Sequence, residues 1–299
     1  ESWSSFWQQH LKELLLEISP IRDYTKKEFE LWFLDYKLGE SSYSSELEAK
    51  QNNDSYEAPL RIRTRLVNLK TKEVKEQEVF LTDFPLMTER GTFVLNGVER
   101  VAISQLIRSP GVFFTAQPGA SQRLFGAKVI PNRGAWLEFV TENSGFIGVR
   151  IDRKRKAAAT TLLRAFGVET DEQILDLFKD VDTGDIRYIE ETLKKYATHN
   201  QAEGLVEVYR RLRPGDYVTP DTAKELVWNM FFNFERYDLS RVGRWKTLQR
   251  LPSLQAKAAK KEVKQLKEGE LDIEGRTLTL EDVVEILKEI IRLNNTPGA

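Results

Sequence analysis

The distribution of hydrophobic and polar residues predicts different structures in the two parts of the chain. In the first third, the clearest element is a strand over residues 59–69, where apolar side chains alternate with three arginines. A turn and a returning strand over residues 76–81 complete a predicted hairpin. An amphipathic helix around residues 11–18 and an aromatic-rich strand over residues 32–37 come earlier. The polar residues 41–57 predict a loop.

The arginines of the predicted hairpin lie on one face of their strand. Period-two alternation places Arg61, Arg63 and Arg65 together, opposite the apolar residues. This face has two interpretations: contact with nucleic acid, or cross-strand ion pairs with Glu76 and Glu78 of the returning strand. We favour the ion pairs, each of which contributes roughly a few tenths of a kcal/mol to stability.

Turn residues divide the second part of the chain into strands followed by helices. The tripeptide Ser109-Pro110-Gly111 predicts a domain boundary, because proline and glycine interrupt regular structure. Three strands, over residues 126–131, 134–140 and 146–151, are predicted to form an antiparallel meander. Capping residues and helical spacing predict helices over residues 157–166, 171–178, 185–196, 202–212, 220–232, 256–267 and 278–293. Together these elements predict an α+β fold.

Composition excludes several classes of protein. The chain has 299 residues, of which 40% are hydrophobic, and this is enough for packed cores. It contains no Cys, which excludes disulfides and any zinc site built on sulfur. No apolar run has the roughly 18 residues that a membrane span requires, and no secretory signal is visible. We therefore expect neither a membrane partner nor a disulfide framework.

Charge is segregated along the chain, although the net charge is only −1. Residues 100–164 include eleven basic and three acidic residues, whereas residues 169–195 include nine acidic and four basic ones. The basic region contains a run from Arg150 to Lys156, and Trp136 lies near it. Flexible cations bind phosphates, and an exposed indole stacks on unpaired bases. The alternatives are a solvated basic face and a core tryptophan, and from the residues alone we favour a core position for Trp136.

Motifs for catalysis are lacking in the sequence. There is no Gly-rich phosphate loop of the Walker or dinucleotide type and no GxSxG nucleophile elbow. His10 and His199 are far apart in the sequence, and without Cys they predict neither a nucleophilic triad nor a metal site. We therefore expect no catalytic residue and no metal ligand in this chain.

Motifs spread over most of the chain carry a family resemblance. They are YKLGE at 36–40, APLR at 58–61, KEQEVF at 75–80, PLMTERGTFVLNGVERV at 85–101, RSPGVFF at 108–114, RGAWL at 133–137, LRPGD at 212–216 and RYDLS at 236–240. The chain closely resembles the N-terminal part of bacterial DNA-directed RNA polymerase β subunits, which forms their protrusion and lobe. The long run over residues 85–114 is too specific to match by chance.

The resemblance implies a division into two domains. Residues 1–107 correspond to the protrusion, a mixed and antiparallel β domain that is completed in the family by a segment further downstream. Residues 108–299 correspond to the lobe, with a small antiparallel sheet and a helical remainder. Residues 249–275, which include the predicted Lys-rich helix, are expected to be a lineage-specific insertion in the lobe.

The resemblance also implies which residues contact DNA. Arg108 and Trp136 match family positions that contact the non-template strand, with the indole stacking on a base, and this reverses the preference for a core Trp136. Including the basic run, the expected DNA-binding residues are Arg108, Trp136, Arg150, Arg153, Lys154, Arg155 and Lys156. The expected function is therefore to form part of the DNA-binding cleft and to contact the non-template strand and downstream DNA.

Two further sites are implied by the same resemblance. Ile103 and Gln105 match the upstream edge of the rifamycin pocket. Val74, Lys75 and Glu76 match a strand that the transcription-repair coupling factor binds by strand addition, so an alternative function is to dock that factor through residues 74–80. An edge strand suits this role because its backbone groups are free to pair.

Partners and cofactors follow from the family in the same way. The resemblance implies a nucleotidyltransferase complex whose catalytic Mg²⁺ is bound by the β′ subunit, so no cofactor is expected in this chain. The expected partners are DNA, the β′ and α subunits, the remainder of β, sigma factor and the transcription-repair coupling factor. The expected location is the cytoplasm, at the nucleoid.

Overall fold

The computed structural model describes residues 1–23, 25, 27–119, 123–195, 198–258 and 275–296. The chain divides into two compact units between Leu106 and Ile107. The structure contains helices and antiparallel sheets, so the predicted α+β class is confirmed. No helix within the described ranges is long and apolar enough to cross a membrane.

The first unit is a four-stranded antiparallel sheet with a helical segment at its N-terminus. Its helices are α1 (Ser2–Ser5), a π-helical turn (Phe6–His10), α2 (Leu11–Ile18) and α3 (Glu46–Gln51). Its strands are β1 (Ile21–Arg22), β2 (Phe29–Leu38), β3 (Glu57–Asn68), β4 (Val74–Pro85), β5 (Phe93–Leu95) and β6 (Val98–Arg100). The main sheet has the order β1-β2-β3-β4, and β5 pairs with β6. The predicted hairpin is therefore confirmed as β3 and β4.

The two faces of the main sheet have different surroundings. On one face, Leu11 and Leu15 of α2 pack on Ile62 of β3, with half-buried aromatic side chains around them. On the other face, Arg61 pairs with Glu78 and Arg65 pairs with Glu76 across β3 and β4. The favoured interpretation of the arginine face as cross-strand ion pairs is thus confirmed for these two arginines.

One prediction for the first unit differs from the structure. Residues 41–57 are not a continuous loop, because they contain α3. The Ser45 hydroxyl accepts a hydrogen bond from the Glu48 amide at 3.3 Å and caps this helix, a signal that the polar composition obscures. Beyond β6, residues 101–109 have no regular secondary structure.

The second unit is a five-stranded antiparallel sheet covered by helices. The strands, in spatial order β11-β10-β9-β8-β7, are β7 (Gly111–Pro118), β8 (Arg123–Ile130), β9 (Leu137–Thr141), β10 (Ile147–Ile151) and β11 (Ala157–Ala158). The helices are α4 (Ala159–Ala165), α5 (Asp171–Phe178), α6 (Tyr188–Lys195), α7 (Gln201–Leu212), α8 (Pro220–Phe231), α9 (Ser240–Arg250), α10 (Pro252–Ala258) and α11 (Leu280–Asn295).

One hydrophobic core joins the sheet and helices of the second unit. Leu137, Phe139 and Val149 from the strands are buried with Val283 and Ile290 of α11. The starts of α5, α8 and α11 carry capping boxes, in which a threonine hydroxyl accepts a hydrogen bond from an amide three residues later. These caps explain why the predicted helix starts are correct for α5 and α8 and lie within two residues of the start of α11.

Neither β7 nor α9 is predicted from the sequence. One predicted helix lies largely outside the described residues. β7 begins directly after the predicted boundary and pairs with β8, and α9 packs against β7. The helix over residues 256–267 and the insertion over residues 249–275 fall largely on residues 259–274, which lie outside the described residues.

Candidate nucleic-acid interface

Trp136 directly precedes β9, and two arginines lie close to its ring. Its side chain is half-buried. The Arg108 guanidinium carbon lies 6.0 Å from the centroid of the indole ring, and that of Arg153 lies 5.8 Å from it. Three residues that are distant in the sequence thus form one cluster, in which cation–π attraction contributes roughly 0.5–1 kcal/mol per arginine at an exposed site.

The loop before Trp136 is fixed by the segment that precedes α9. The backbone amides of Asn132 and Arg133 donate to the Asp238 carbonyl at 2.9 and 3.1 Å, and the Asp238 amide donates to the Arg133 carbonyl at 2.8 Å. Gly134 has a φ of +125°, and a Cβ there would lie 2.6 Å from the buried ring of Tyr237. Glycine is therefore required at this position both by its backbone conformation and by the close approach of the ring.

A left-handed turn after β10 directs Arg153 toward the indole. Asp152 and Arg153 have φ values of +46° and +60°, and the Lys154 amide donates to the Ile151 carbonyl at 2.9 Å. Positive φ at both central residues is typical of a type I′ turn. The Asp152 carboxylate accepts a hydrogen bond from the Trp136 amide at 2.7 Å, and its own amide donates to the Trp136 carbonyl at 3.0 Å. The turn and the tryptophan are therefore held together.

Asp152 is a site residue that sequence reasoning missed. It appears in the sequence only as the single acid within the basic run from Arg150 to Lys156. The available signal was the residue type, since Asp is a common turn residue whose side chain accepts backbone hydrogen bonds. Its role depends on Trp136, sixteen residues away, and only the pairing of β9 with β10 brings the two together.

The remaining predicted DNA-binding residues divide into two groups. Arg150 lies opposite Glu138, which also faces Lys128 on β8, so a basic-acidic-basic row crosses the sheet beside Trp136. The Lys128 ammonium lies 2.8 Å from the Glu138 carboxylate. Lys154 and Arg155 are exposed beyond the turn. Arg150 on β10 and Lys154 and Arg155 after the turn are thus exposed close to Arg153 in the sequence.

Lys156 faces a different part of the molecule. Its ammonium group donates to the Glu142 carboxylate, which also accepts a hydrogen bond from Lys195 at 2.8 Å. Hydrogen bonds first from Lys156 and then from Lys195 hold the pKa of the Glu142 carboxyl below its usual value. Both ammonium groups lie over the buried ring of Phe146, at 6.0 and 4.3 Å from its centroid. The structure therefore gives Lys156 an internal partner and does not bring it to Trp136.

The two other predicted sites lie in the first unit. Ile103 and Gln105 are exposed in the segment without regular structure. Val74, Lys75 and Glu76 are exposed on β4, which is an edge strand of the main sheet. Glu76 is hydrogen-bonded to Arg65 at 2.7 Å, and Lys75 lies 3.3 Å from Glu73.

Comparisons with known proteins identify the family to which the chain is similar. A family model described as RNA polymerase Rpb2, domain 2, matches residues 108–265. The DNA-directed RNA polymerase subunit beta of Staphylococcus carnosus is 49% identical over 252 residues, which are 84% of this chain and 21% of the relative. That of Syntrophomonas wolfei is 43% identical over 298 residues, 99% of this chain and 25% of the relative.

A further relative gives the same result. The corresponding subunit of Listeria monocytogenes is 49% identical over 251 residues, which are 84% of this chain and 21% of the relative. The chain thus spans between about a fifth and a quarter of the length of the curated relatives it matches. The chain belongs to the family of bacterial DNA-directed RNA polymerase β subunits, and its residues 108–265 match their Rpb2 domain 2.

Proposed function

We propose that this chain is a DNA-handling part of a bacterial RNA polymerase and that Trp136 stacks on an unpaired base of the non-template strand. Membership of the β-subunit family supports the general role. The half-buried indole with the Arg108 and Arg153 guanidinium groups about 6 Å from its ring centroid is the observation that carries the proposal. A flat aromatic ring accepts any base by stacking, and the two guanidinium groups attract the phosphates on either side of that base.

The charges around the cluster support the same function. Arg150, Lys154 and Arg155 are exposed within three residues of Arg153 in the chain, whereas Lys156 forms an ion pair with Glu142. Phosphate contacts of this kind position a strand without reading its sequence. The chain therefore binds single-stranded DNA with little sequence preference and contributes to a cleft that also contacts downstream DNA.

Catalysis belongs to other parts of the proposed complex. Among the residues that the structure describes, no three His, Cys, Asp or Glu side chains come together in a group that could hold a metal ion. We propose that the catalytic Mg²⁺ of the complex is bound by the β′ subunit. The proposed partners are the β′ and α subunits, the remainder of β and sigma factor. We also retain the proposal that Ile103 and Gln105 border a rifamycin pocket, which their exposure permits.

Binding of two oligonucleotides by the full chain tests the role of Trp136. A fluorescein-labelled oligothymidylate and an abasic oligomer of equal length and charge are titrated at fixed salt, and fluorescence anisotropy is measured. Stacking is worth roughly 1–3 kcal/mol per base, so Trp136→Ala should weaken oligothymidylate binding by about fivefold to about 150-fold. The abasic oligomer, which offers phosphates but no base, should bind both proteins equally.

A second exposed tryptophan provides the matched control for this experiment. Trp228 is on the surface of α8 in the same unit. Trp228→Ala should leave both affinities unchanged. Equal binding of oligothymidylate by the wild-type chain and by Trp136→Ala would contradict the proposal.

The edge strand β4 supports a second candidate function. All three residues implied in docking the transcription-repair coupling factor, Val74, Lys75 and Glu76, are exposed on this strand. An incoming strand pairs with the unpaired backbone groups of such an edge and reads the side chains beside them. We propose that a protein partner adds a strand to β4.

Charge reversal on β4 distinguishes this function from DNA binding. Lys75→Glu together with Glu76→Lys preserves the net charge but exchanges the two signs on the strand. We expect this double variant to lose binding of the coupling factor in a pull-down while its oligothymidylate affinity stays unchanged. Arg61→Ala on neighbouring β3 serves as the control. Undiminished capture of the factor by the double variant would contradict docking at this strand.

A further inference from the structure

The segment that carries Arg108 is attached to α9 by contacts that the proposed function leaves unexplained. The Lys246 ammonium on α9 donates a hydrogen bond to the Ser109 hydroxyl at 2.6 Å. Ser109 directly follows Arg108, so this bond holds the side chain of the residue next to the cation that lies over Trp136. The bond joins residues 137 positions apart, which identifies it as a tertiary contact and not a feature of the local turn.

Two glycines allow the same segment to lie directly against the helix. A Cβ on Gly243 of α9 would lie 2.9 Å from Cβ of Pro110, so only a residue without a side chain permits this approach. Gly111 has a φ of +139°, and a Cβ on it would lie 3.2 Å from Cβ of Lys246. Gly111 also begins β7, which packs against α9. The segment from Ser109 to Gly111 is therefore docked on α9 at each residue.

We propose that Lys246 and Gly243 of α9 are positioning residues, which hold Arg108 over the Trp136 ring by docking the Ser109-Pro110-Gly111 segment. Arg108 is exposed and precedes the first strand of the unit, so its own surroundings restrict its side chain little. Residues 101–109 have no regular structure. Without the bond from Lys246, the Arg108 guanidinium would sample many positions. A smaller fraction of the molecules would then have this cation in place to bind a base and its phosphate together. This inference rests on the proposed role of Trp136.

Ser109→Ala is the sharpest test, because it removes the acceptor hydroxyl without changing any charge. The full chain should lose about twofold to fivefold in oligothymidylate affinity, the range expected from one exposed cation–π contact. Lys246→Met should cause a similar loss, and Lys246→Arg, which can still donate to Ser109, should restore most of it. Lys224→Met on α8 removes one exposed cation elsewhere and serves as the control.

A double-mutant cycle separates positioning from a direct contact of Lys246 with phosphate. If α9 acts through Arg108, Ser109→Ala should have no further effect on affinity once Arg108 is replaced by Ala. The dependence of affinity on salt should also be the same for Ser109→Ala and the wild-type chain, since no cation is lost. Wild-type affinity of Ser109→Ala, or losses that add fully in the double variant, would overturn the inference.

A measurement without DNA distinguishes failure of this inference from failure of the proposed function. The indole N–H signal of Trp136 is assigned in a ¹H–¹⁵N spectrum as the one that Trp136→Phe removes. Ser109→Ala and Arg108→Ala should both move this signal in the free protein, because both displace a charge from the ring face, while the Trp228 signal stays in place. An unmoved Trp136 signal in Ser109→Ala would overturn the inference even if Trp136→Ala abolishes stacking.

Discussion

At the residue scale, hydrogen bonds to the backbone determine what the Trp136 side chain can contact. The Asp152 carboxylate accepts a hydrogen bond from the Trp136 amide, and the amides of Asn132 and Arg133 donate hydrogen bonds to the Asp238 carbonyl. Asp238 is itself buried and forms an ion pair with Arg276. The indole is therefore held on a fixed stretch of backbone, and its partial exposure is a property of the fold and not of a mobile loop.

The carboxylate of Glu99 gives a residue-scale prediction about pH. Hydrogen bonds from Lys50 and Thr92, with the charge of Arg90 nearby, lower the pKa of Glu99 to about 2. A carboxyl whose pKa is lower in the folded chain contributes stability above its unfolded pKa, near 4.5, and loses it as the pH falls toward 2. We expect the urea midpoint of the first unit to fall between pH 5 and pH 2.

The variant Glu99→Gln should remove this part of the pH dependence. It should be less stable than the wild-type chain at pH 7 and should lose less stability across the same acid range. Glu89→Gln, at an exposed turn position nearby, is the control and should keep the wild-type profile. Parallel urea midpoints for Glu99→Gln and the wild-type chain from pH 7 to pH 2 would contradict the assignment.

At the element scale, the turn between β10 and β11 separates the cations of the proposed DNA-binding surface from Lys156, which has an internal partner. Arg153 lies over Trp136, whereas Lys156, three residues later, pairs with Glu142 and lies over Phe146. Two consecutive residues with positive φ reverse the chain within this run. Neighbouring basic residues in the sequence therefore have different roles.

Salt titration of DNA binding checks this division. Each phosphate contact with single-stranded DNA contributes about 0.7 to the slope of log affinity against log salt. Replacing Arg153, Lys154 and Arg155 together by Ala should therefore reduce the slope by about 2. Lys156→Ala should leave the slope unchanged and lower the stability of the second unit instead. An unchanged slope in the triple variant would count against these residues as the phosphate contacts.

The elements also show which features are predictable from sequence. The β3–β4 hairpin and the helices α5, α8 and α11 follow from alternation and from threonine caps, which are local signals. The sequence does not predict helix α9, because it has a glycine in its first turn and no apolar stripe. Contacts with β7 support this helix instead. The partial exposure of Trp136 is likewise not predictable from the residues alone. The position of its side chain depends on contacts with Arg108 and Asp152, and only the tertiary fold brings these residues close to Trp136. The family resemblance supplied that expectation instead.

At the scale of the whole molecule, each of the two compact units contains its own buried core. The second unit holds the Trp136 cluster, and the first unit holds the exposed edge strand β4. The net charge of −1 does not reveal the basic region that includes Trp136, because its positive charges are balanced by acidic residues further along the chain. Membership of the β-subunit family and the geometry around Trp136 are the two observations that support our proposal that the second unit binds DNA.

The indole N–H signals of the six tryptophans test this claim most directly. They are recorded in ¹H–¹⁵N spectra while oligothymidylate, and separately the abasic oligomer, is added to the full chain. We predict that the Trp136 signal moves strongly with oligothymidylate and little with the abasic oligomer, whereas the Trp228 signal moves with neither. A Trp136 signal that stays in place while oligothymidylate binds, or that moves equally with both oligomers, would contradict base stacking at this site.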